Sequence, residues 1–316
     1  MSTAVAGRRV LVVGAGLVGT ATAAELVRRG AEVTCADLDA ARAAAVARQV
    51  GCAARALDLG DRAGTRAAVA ELGPALVVHT AGRLRADGRA GAATDLVVDT
   101  VRATAHLTEA CVAEEVPRLV LASSLAVYGS PDITPVPESW PCRPRTPYGA
   151  AKAAAEATVL GQSAGTATVP RIARLCGVYG PGARPDGGQL AGRLMILLAR
   201  QLTGRPVRVG AGLSGREYLY ADDAARGLVA LATAPPDGPT VANLGTGRPL
   251  SAAEVAEAFG SLGGPDVEHD QDQQKPTPWQ LDTRVAADQL GFTARFELAR
   301  GLADWAARIR ERGPWQ

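Results

Sequence analysis

Tyr148 and Lys152 stand four residues apart in a stretch, Tyr148–Gly161, whose spacing predicts a helix, so both side chains share one helix face. Upstream, Ser123-Ser124 closes the run LVLASS, which reads as the end of a strand. Serine, phenol and ammonium together suit the removal of a proton from an alcohol. A phenol with its ordinary pKa of about 10 is a poor base at neutral pH, but a nearby ammonium and a cationic oxidised nicotinamide both favour the phenolate. In this reading Tyr148 takes the proton of a substrate hydroxyl while hydride leaves its carbon. Ser124 hydrogen-bonds the same oxygen, and Lys152 also holds the nicotinamide ribose.

A second group of residues suits the cofactor that such chemistry needs. Val10–Gly19 reads VLVVGAGLVG, which places Gly14, Gly16 and Gly19 as G-x-G-x-x-G between an apolar run and a helical pattern. The first glycine permits a tight turn, the second lets backbone approach a pyrophosphate, and the third allows close helix–strand packing. Phosphates there meet free N–H groups and the positive end of the helix. Asp37 follows the next strand, 18 residues beyond Gly19. A carboxylate at that point accepts from the adenosine ribose hydroxyls and repels a 2′-phosphate, which favours NAD over NADP. Asp58-Leu59 and Thr80-Ala81-Gly82 follow the third and fourth strands, at the edge where ligands bind in such sheets. His79 precedes the latter turn and reads as a packed, hydrogen-bonded residue.

These residues need a frame, and the chain supplies one. Runs of strand type at Arg9–Val13, Ala31–Ala36, Ala53–Leu57, Ala75–His79, Arg118–Ala122 and Val169–Leu175 alternate with helical patterns at Leu17–Arg29, Ala40–Gln49, Arg62–Leu72, Leu96–Glu114 and Tyr148–Gly161. This predicts an α/β fold with a doubly wound parallel sheet of Rossmann type, covered on both faces. After about Gly177 the texture changes. Residues 1–176 read as an NAD-binding domain, and 177–316 as mainly a substrate-binding region that can interleave with the first. Tyr179–Gln189 and Gly263–Pro278 read as loops. Helices are expected at Gly192–Leu202, Asp222–Ala232, Ser251–Phe259 and Leu298–Arg310, with a short strand at Pro206–Val209.

Composition narrows the function classes. The 316 residues carry 34 basic and 32 acidic side chains, a net charge of +2, with no basic block of the kind that tracks nucleic acid. None of the five cysteines forms a C-x-x-C pair, so neither a metal site nor a disulfide framework is expected, and a reducing, cytoplasmic setting fits. The N-terminus has no apolar stretch of signal-peptide type, and no run approaches the roughly 20 apolar residues of a membrane helix.

In order along the chain, VVHTAG, LASSLAVYG, YGAAK, RLCGVYGPG, REYLYADDAARG, NLGTG and LGF complete a pattern. From about Arg9 to Arg310 the chain resembles the extended short-chain dehydrogenase/reductase family, the NAD-dependent nucleotide-sugar epimerases and dehydratases. In layout it is similar to the UDP-galactose 4-epimerases of that family. The resemblance implies that Ser124, Tyr148 and Lys152 are catalytic. It implies that Gly14, Gly16, Leu17, Val18, Gly19, Asp37, Asp58, Leu59, Thr80, Ala81, Gly82 and Cys176 line NAD. Arg216 matches an arginine that commonly contacts the substrate diphosphate, a task suited to a guanidinium because it pairs bidentately with phosphate oxygens. Asp222-Asp223 matches a usual pair, read as structural. Family members are often dimers through paired helices, which Leu96–Glu114 and Tyr148–Gly161 would supply.

The departures bear on substrate. A further family glycine is Val13, a cofactor-side asparagine is Thr100, and the asparagine that often meets substrate phosphate is Gly177. Lys275 lies where another phosphate-binding arginine is expected. Leu125-Ala126 follows Ser124 where dehydratases usually carry an acidic pair, which argues against 4,6-dehydration. The resemblance therefore implies a sugar or nucleotide-sugar epimerase that oxidises a ring hydroxyl, at C4, and reduces it again on the other face. The alternative is an NAD-dependent dehydrogenase or ketoreductase acting on a sugar or a secondary-metabolite alcohol. A non-catalytic NAD-sensing protein is a third reading, disfavoured by the intact serine–tyrosine–lysine set.

Overall fold

Short apolar runs buried on both faces form the centre of the molecule, as parallel strands covered by helices require. The computed structural model describes residues 5–82, 91–183, 189–270 and 280–312. The first half alternates without interruption: β1 (Arg9–Val13), α1 (Leu17–Arg28), β2 (Glu32–Asp37), α2 (Ala40–Val50), β3 (Ala53–Ala56), α3 (Arg62–Leu72) and β4 (Leu76–His79). It continues with α4 (Ala92–Ala113), β5 (Arg118–Ser124), α5 (Pro147–Ser163) and β6 (Val169–Leu175). Local chemistry sets the helix ends. Asp39 and Asp61 cap α2 and α3 by accepting backbone N–H bonds, and Gly51 and Gly73 close those helices in the left-handed region. Thr146 accepts from Gly149 N at 3.0 Å, and Pro147 occupies the first turn of α5, where its missing N–H costs nothing.

Beyond residue 176 the strands shorten: β7 (Gly177–Tyr179), α6 (Gln189–Leu202), β8 (Val207–Val209), β9 (Tyr218–Tyr220), α7 (Ala221–Ala232) and β10 (Val241–Leu244). They are followed by α8 (Ala252–Gly260), β11 (Val267–His269), α9 (Arg284–Leu290) and α10 (Leu298–Arg312). One seven-stranded sheet, ordered β10-β6-β5-β4-β1-β2-β3 and parallel throughout, dominates. One of its two edge strands, β10, comes from beyond residue 176, and α7 packs on α1. Two small parallel pairs, β7 with β9 and β8 with β11, lie apart from it. Around them a second core gathers Tyr179, Leu194, Leu198, Tyr218, Tyr220, Phe259, Leu302 and Trp305.

The expected strands and helices of the first half are present with ends displaced by a few residues. Beyond them, β7, β9, β10 and α9 are additions to the sequence reading. The expected loop at Gly263–Pro278 contains β11, and its part at 271–278, Lys275 included, lies outside the described residues. No helix among the described residues is long and apolar enough to cross a membrane.

Candidate active site

The carboxyl ends of β1, β2, β4, β5 and β6 share one edge of the sheet, and the residues singled out in the sequence gather there. Gly14 has φ +106°, and a Cβ on it would stand 2.5 Å from Ala81 N, so the β1–α1 and β4 loops touch as only glycine permits. A Cβ on Gly19 would strike the carbonyl oxygen of Gly14, whereas one on Gly16 would meet nothing within 4 Å. Gly16 thus opens onto free space, and no side chain caps α1, whose first N–H groups remain available to an anion. Thr80 Oγ1 donates to the carbonyls of Val13 and Gly14, both at 2.9 Å, and braces the loop. Leu17 packs against the second core and Val18 against the first.

Asp37 ends β2, half-buried. Its Oδ2 accepts from Ala15 N at 2.7 Å and its Oδ1 from Asp39 N at 2.9 Å. Each oxygen keeps lone-pair capacity for a hydroxyl donor. Asp58 is exposed and accepts from Gly60 N at 2.7 Å, whereas Leu59 is turned into the core and its carbonyl meets His106 Nδ1 at 2.8 Å. Cys176 is buried directly after β6. Gly82, exposed, stands where a Cβ would lie 3.6 Å from Lys152 Nζ, so the β4 loop faces the lysine. An open glycine loop at an uncapped helix, a carboxylate after β2 and a lysine behind the β4 loop fit a dinucleotide laid across this edge.

Ser124, Tyr148 and Lys152 converge from β5 and α5. Lys152 is buried and its Nζ donates to Ala122 O at 2.8 Å. Burial drives its pKa down to about 8, against the opposing pull of Glu156. Burial likewise pushes the Tyr148 phenol up to about 12, and a hydrogen bond with Ser124 only partly offsets it. Ser124 Oγ also accepts from Ala126 N at 3.2 Å, which turns the chain into the 3₁₀ turn Leu125–Tyr128. The protein alone therefore keeps the phenol protonated. A positive charge brought next to it would act in the opposite direction.

Several singled-out residues take structural positions. His79 is buried, bonds Thr104 Oγ1 at 3.2 Å through Nε2, and is held neutral by burial, its pKa down to about 3. The Thr100 hydroxyl bonds Leu96 O within its own helix. Asp223, fully buried, accepts from the N–H groups of Arg295 and Phe296, and Asp222 pairs with Arg308 at 2.7 Å. Arg216 is exposed, with Nε on Gly212 O at 2.7 Å. A Cβ on Gly177 would lie 2.2 Å from Leu190 Cδ2 and 2.8 Å from Glu217 O, so no side chain fits there.

Sequence reasoning missed two buried groups. Glu217 accepts from the N–H groups of Thr246, Gly247 and Leu281, tying three segments together beside β9. Glu156, Arg174 and Ser123 form a polar cluster under α5. The signal for the second was available, because Glu156 follows Lys152 by one helical turn and Ser123 precedes Ser124.

Fold and site together define a Rossmann-type enzyme with a dinucleotide loop and a serine–tyrosine–lysine cluster at one sheet edge. The model of the NAD dependent epimerase/dehydratase family matches residues 10–245, and the chain belongs to this family of extended short-chain dehydrogenase/reductases, which is NAD-dependent. A UDP-glucose 4-epimerase of Mycolicibacterium smegmatis is 32% identical over 245 residues, covering 74% of this chain and 76% of the relative. A dTDP-glucose 4,6-dehydratase of Streptomyces griseus is 31% identical over 244 residues, covering 76% and 73%. Among solved structures, MoeE5 in complex with UDP-glucose and NAD superposes with a TM-score of 0.79 at 31% identity, covering 96% of this chain and 99% of that one.

Proposed function

We propose that the protein is a nucleotide-sugar epimerase that acts by transient oxidation of a ring hydroxyl, at C4, with Ser124, Tyr148 and Lys152 as its catalytic residues. The observation that carries this reading is the convergence of all three at the dinucleotide edge while Leu125-Ala126, in the turn after Ser124, offers no acid or base for elimination. The relatives named for UDP-glucose and the neighbour complexed with UDP-glucose and NAD support the substrate class.

NAD, when bound, supplies the two-electron acceptor and donor, and the residues fitted to hold it are Gly14, Gly16, Gly19, Asp37, Thr80 to Gly82 and Lys152. Tyr148 receives the proton of the substrate hydroxyl, and Ser124 holds that oxygen in line with the phenol. Lys152, charged below a pH of about 8, favours the phenolate and fixes the site against Ala122 O. When the keto sugar has turned, Tyr148 returns its proton to the same oxygen, and the cycle closes with no net change in oxidation state. Arg216 is the residue proposed for the diphosphate.

One observation favours a second reading, a dehydrogenase or ketoreductase with exchanging NAD: the packed surroundings of Gly177 leave no side chain there to meet a phosphate. The test begins with the protein as purified. Under the epimerase reading it retains near-stoichiometric NAD after desalting and interconverts UDP-glucose and UDP-galactose or another pair of C4 epimers. Tyr148→Phe is expected to lower that rate by about 10²–10⁴-fold with its NAD content unchanged. Full activity in the variant removes Tyr148 from the mechanism. A cofactor lost on desalting and reduced in proportion to product moves the assignment to the dehydrogenase.

A further inference from the structure

The three residues that end β5 each meet one residue of α5. Ala122 O accepts from Lys152 Nζ at 2.8 Å, Ser123 Oγ donates to Glu156 Oε1, and Ser124 lies near enough to Tyr148 to favour its phenolate. Tyr148, Lys152 and Glu156 are spaced at i, i+4 and i+8, so they run along one stripe of the helix. The third rung of this ladder is held from below by Arg174, the register partner of Ser123 on β6. Arg174 Nη2 lies 2.7 Å from Glu156 Oε2, and its Nε lies 3.1 and 3.2 Å from the two carboxylate oxygens. Its Nη1 donates to Tyr128 OH at 3.1 Å and to Glu138 O at 2.9 Å, and Tyr128 donates to Asn243 Oδ1 at 2.6 Å. Asn243 is the register partner of Arg174 on β10, so Ser123, Arg174 and Asn243 cross three strands at one level. Ser123, Glu156, Arg174, Tyr128 and Asn243 are all buried.

A buried ion pair is a poor way to gain stability, since apolar residues of similar volume often hold an interface as well or better. What it adds is direction. Apolar contacts tolerate a helix sliding along a strand by a fraction of an ångström, whereas a bidentate guanidinium–carboxylate pair does not. We infer that Ser123, Glu156 and Arg174 form a positioning clamp that sets where α5 stands along β5, and so fixes the phenol of Tyr148 against Ser124. They are positioning residues, and their role rests on the proposed assignment of Tyr148 and Ser124 as the reacting pair.

Ser123→Ala tests the clamp most cleanly, because it removes one uncharged donor and leaves every charge and the Glu156–Arg174 pair in place. The readout is the ionisation midpoint of Tyr148 in NAD-loaded protein, taken from ultraviolet difference spectra against Tyr148→Phe. It needs no substrate. Loosening the rung weakens the Ser124 contact that favours the phenolate, so the midpoint is expected to rise by about half a pH unit or more. Ser123→Thr, which restores the hydroxyl, is expected to return it, with Tm within about 2 °C of wild type in both. Where C4 epimers interconvert, Ser123→Ala is expected to lower kcat about tenfold with KM unchanged. Should Ser123→Ala not fold, Ser123→Cys, which weakens the donor and also leaves every charge in place, is read in the same way. An unmoved midpoint, or a rise that Ser123→Thr does not reverse, overturns the clamp. The catalytic reading falls separately, on full activity in Tyr148→Phe.

Discussion

Asp37 is proposed to carry two tasks at this site. Its carboxylate closes the β1–α1 loop through Ala15 N at 2.7 Å and still presents lone pairs to a ribose. Asp37→Ala is therefore expected to weaken NAD binding about tenfold and to narrow the preference over NADP, since one charged acceptor is lost together with its repulsion of a 2′-phosphate. Titration with both cofactors measures the ratio, and an unchanged ratio takes Asp37 off the ribose. His79 carries a prediction for stability. Burial lowers its pKa from 6.5 to about 3. In that window the unfolded chain binds a proton that the folded one refuses, so stability is full above pH 6.5 and falls on acidification towards 3. The slope reaches at most about 1.4 kcal/mol per pH unit from this group. His79→Leu should flatten the dependence in urea titrations run across that range. That these residues would meet at one sheet edge was largely legible in the sequence, because the placing of Gly14, Gly16, Gly19, Asp37, Tyr148 and Lys152 follows from spacing. Leu59 was not, since only the packing reveals that its side chain turns into the core.

Elements were legible where they were long or repeated. Strands β1 to β6 stand out because helices of three turns or more separate them, and each switch of period marks a boundary. The strands β7, β9 and β10 span three or four residues, too few for any period to show. Their pairing depends on partners distant in sequence, such as Gly177 with Tyr218 and Val241 with Ile172. Gly177 belongs to this scale. Its lack of a side chain lets Leu190 of α6 and the backbone of Glu217 close on β7. Gly177→Asn is expected to cost about 1–3 kcal/mol by overpacking, and Leu190→Ala in the same chain should recover part of it. Denaturant melts of the single and double variants decide the matter. Equal stability of Gly177→Asn and wild type would mean that α6 moves aside freely.

At the scale of the whole molecule, α4 and α5 pack against one another on one side of the sheet, and Val98 of α4 is 44% exposed. We propose that this pair meets its copy in a homodimer. Sedimentation is expected to give twice the 32.3 kDa chain mass, with Val98→Glu shifted towards one chain. A wild-type monomer at micromolar concentration, by the usual measure of a stable interface, would end that proposal. The doubly wound plan itself was legible, because alternation of strand and helix admits few topologies. The return of the chain to the main sheet was not, as it rests on β10 alone.

That late strand has a consequence for synthesis. β10 covers the edge of β6 and brings Asn243 to the Tyr128–Arg174 bonds, yet it leaves the ribosome about seventy residues after the strand it pairs with. The nascent chain can build β1 to β6 early, but until residue 244 emerges it carries a bare parallel edge and a buried-to-be tyrosine, Tyr128, whose hydroxyl lacks its Asn243 acceptor. Chaperone contact and aggregation during translation should therefore be greatest in that interval, and chains arrested before Val241 should be the most easily digested of all nascent lengths that already contain α5.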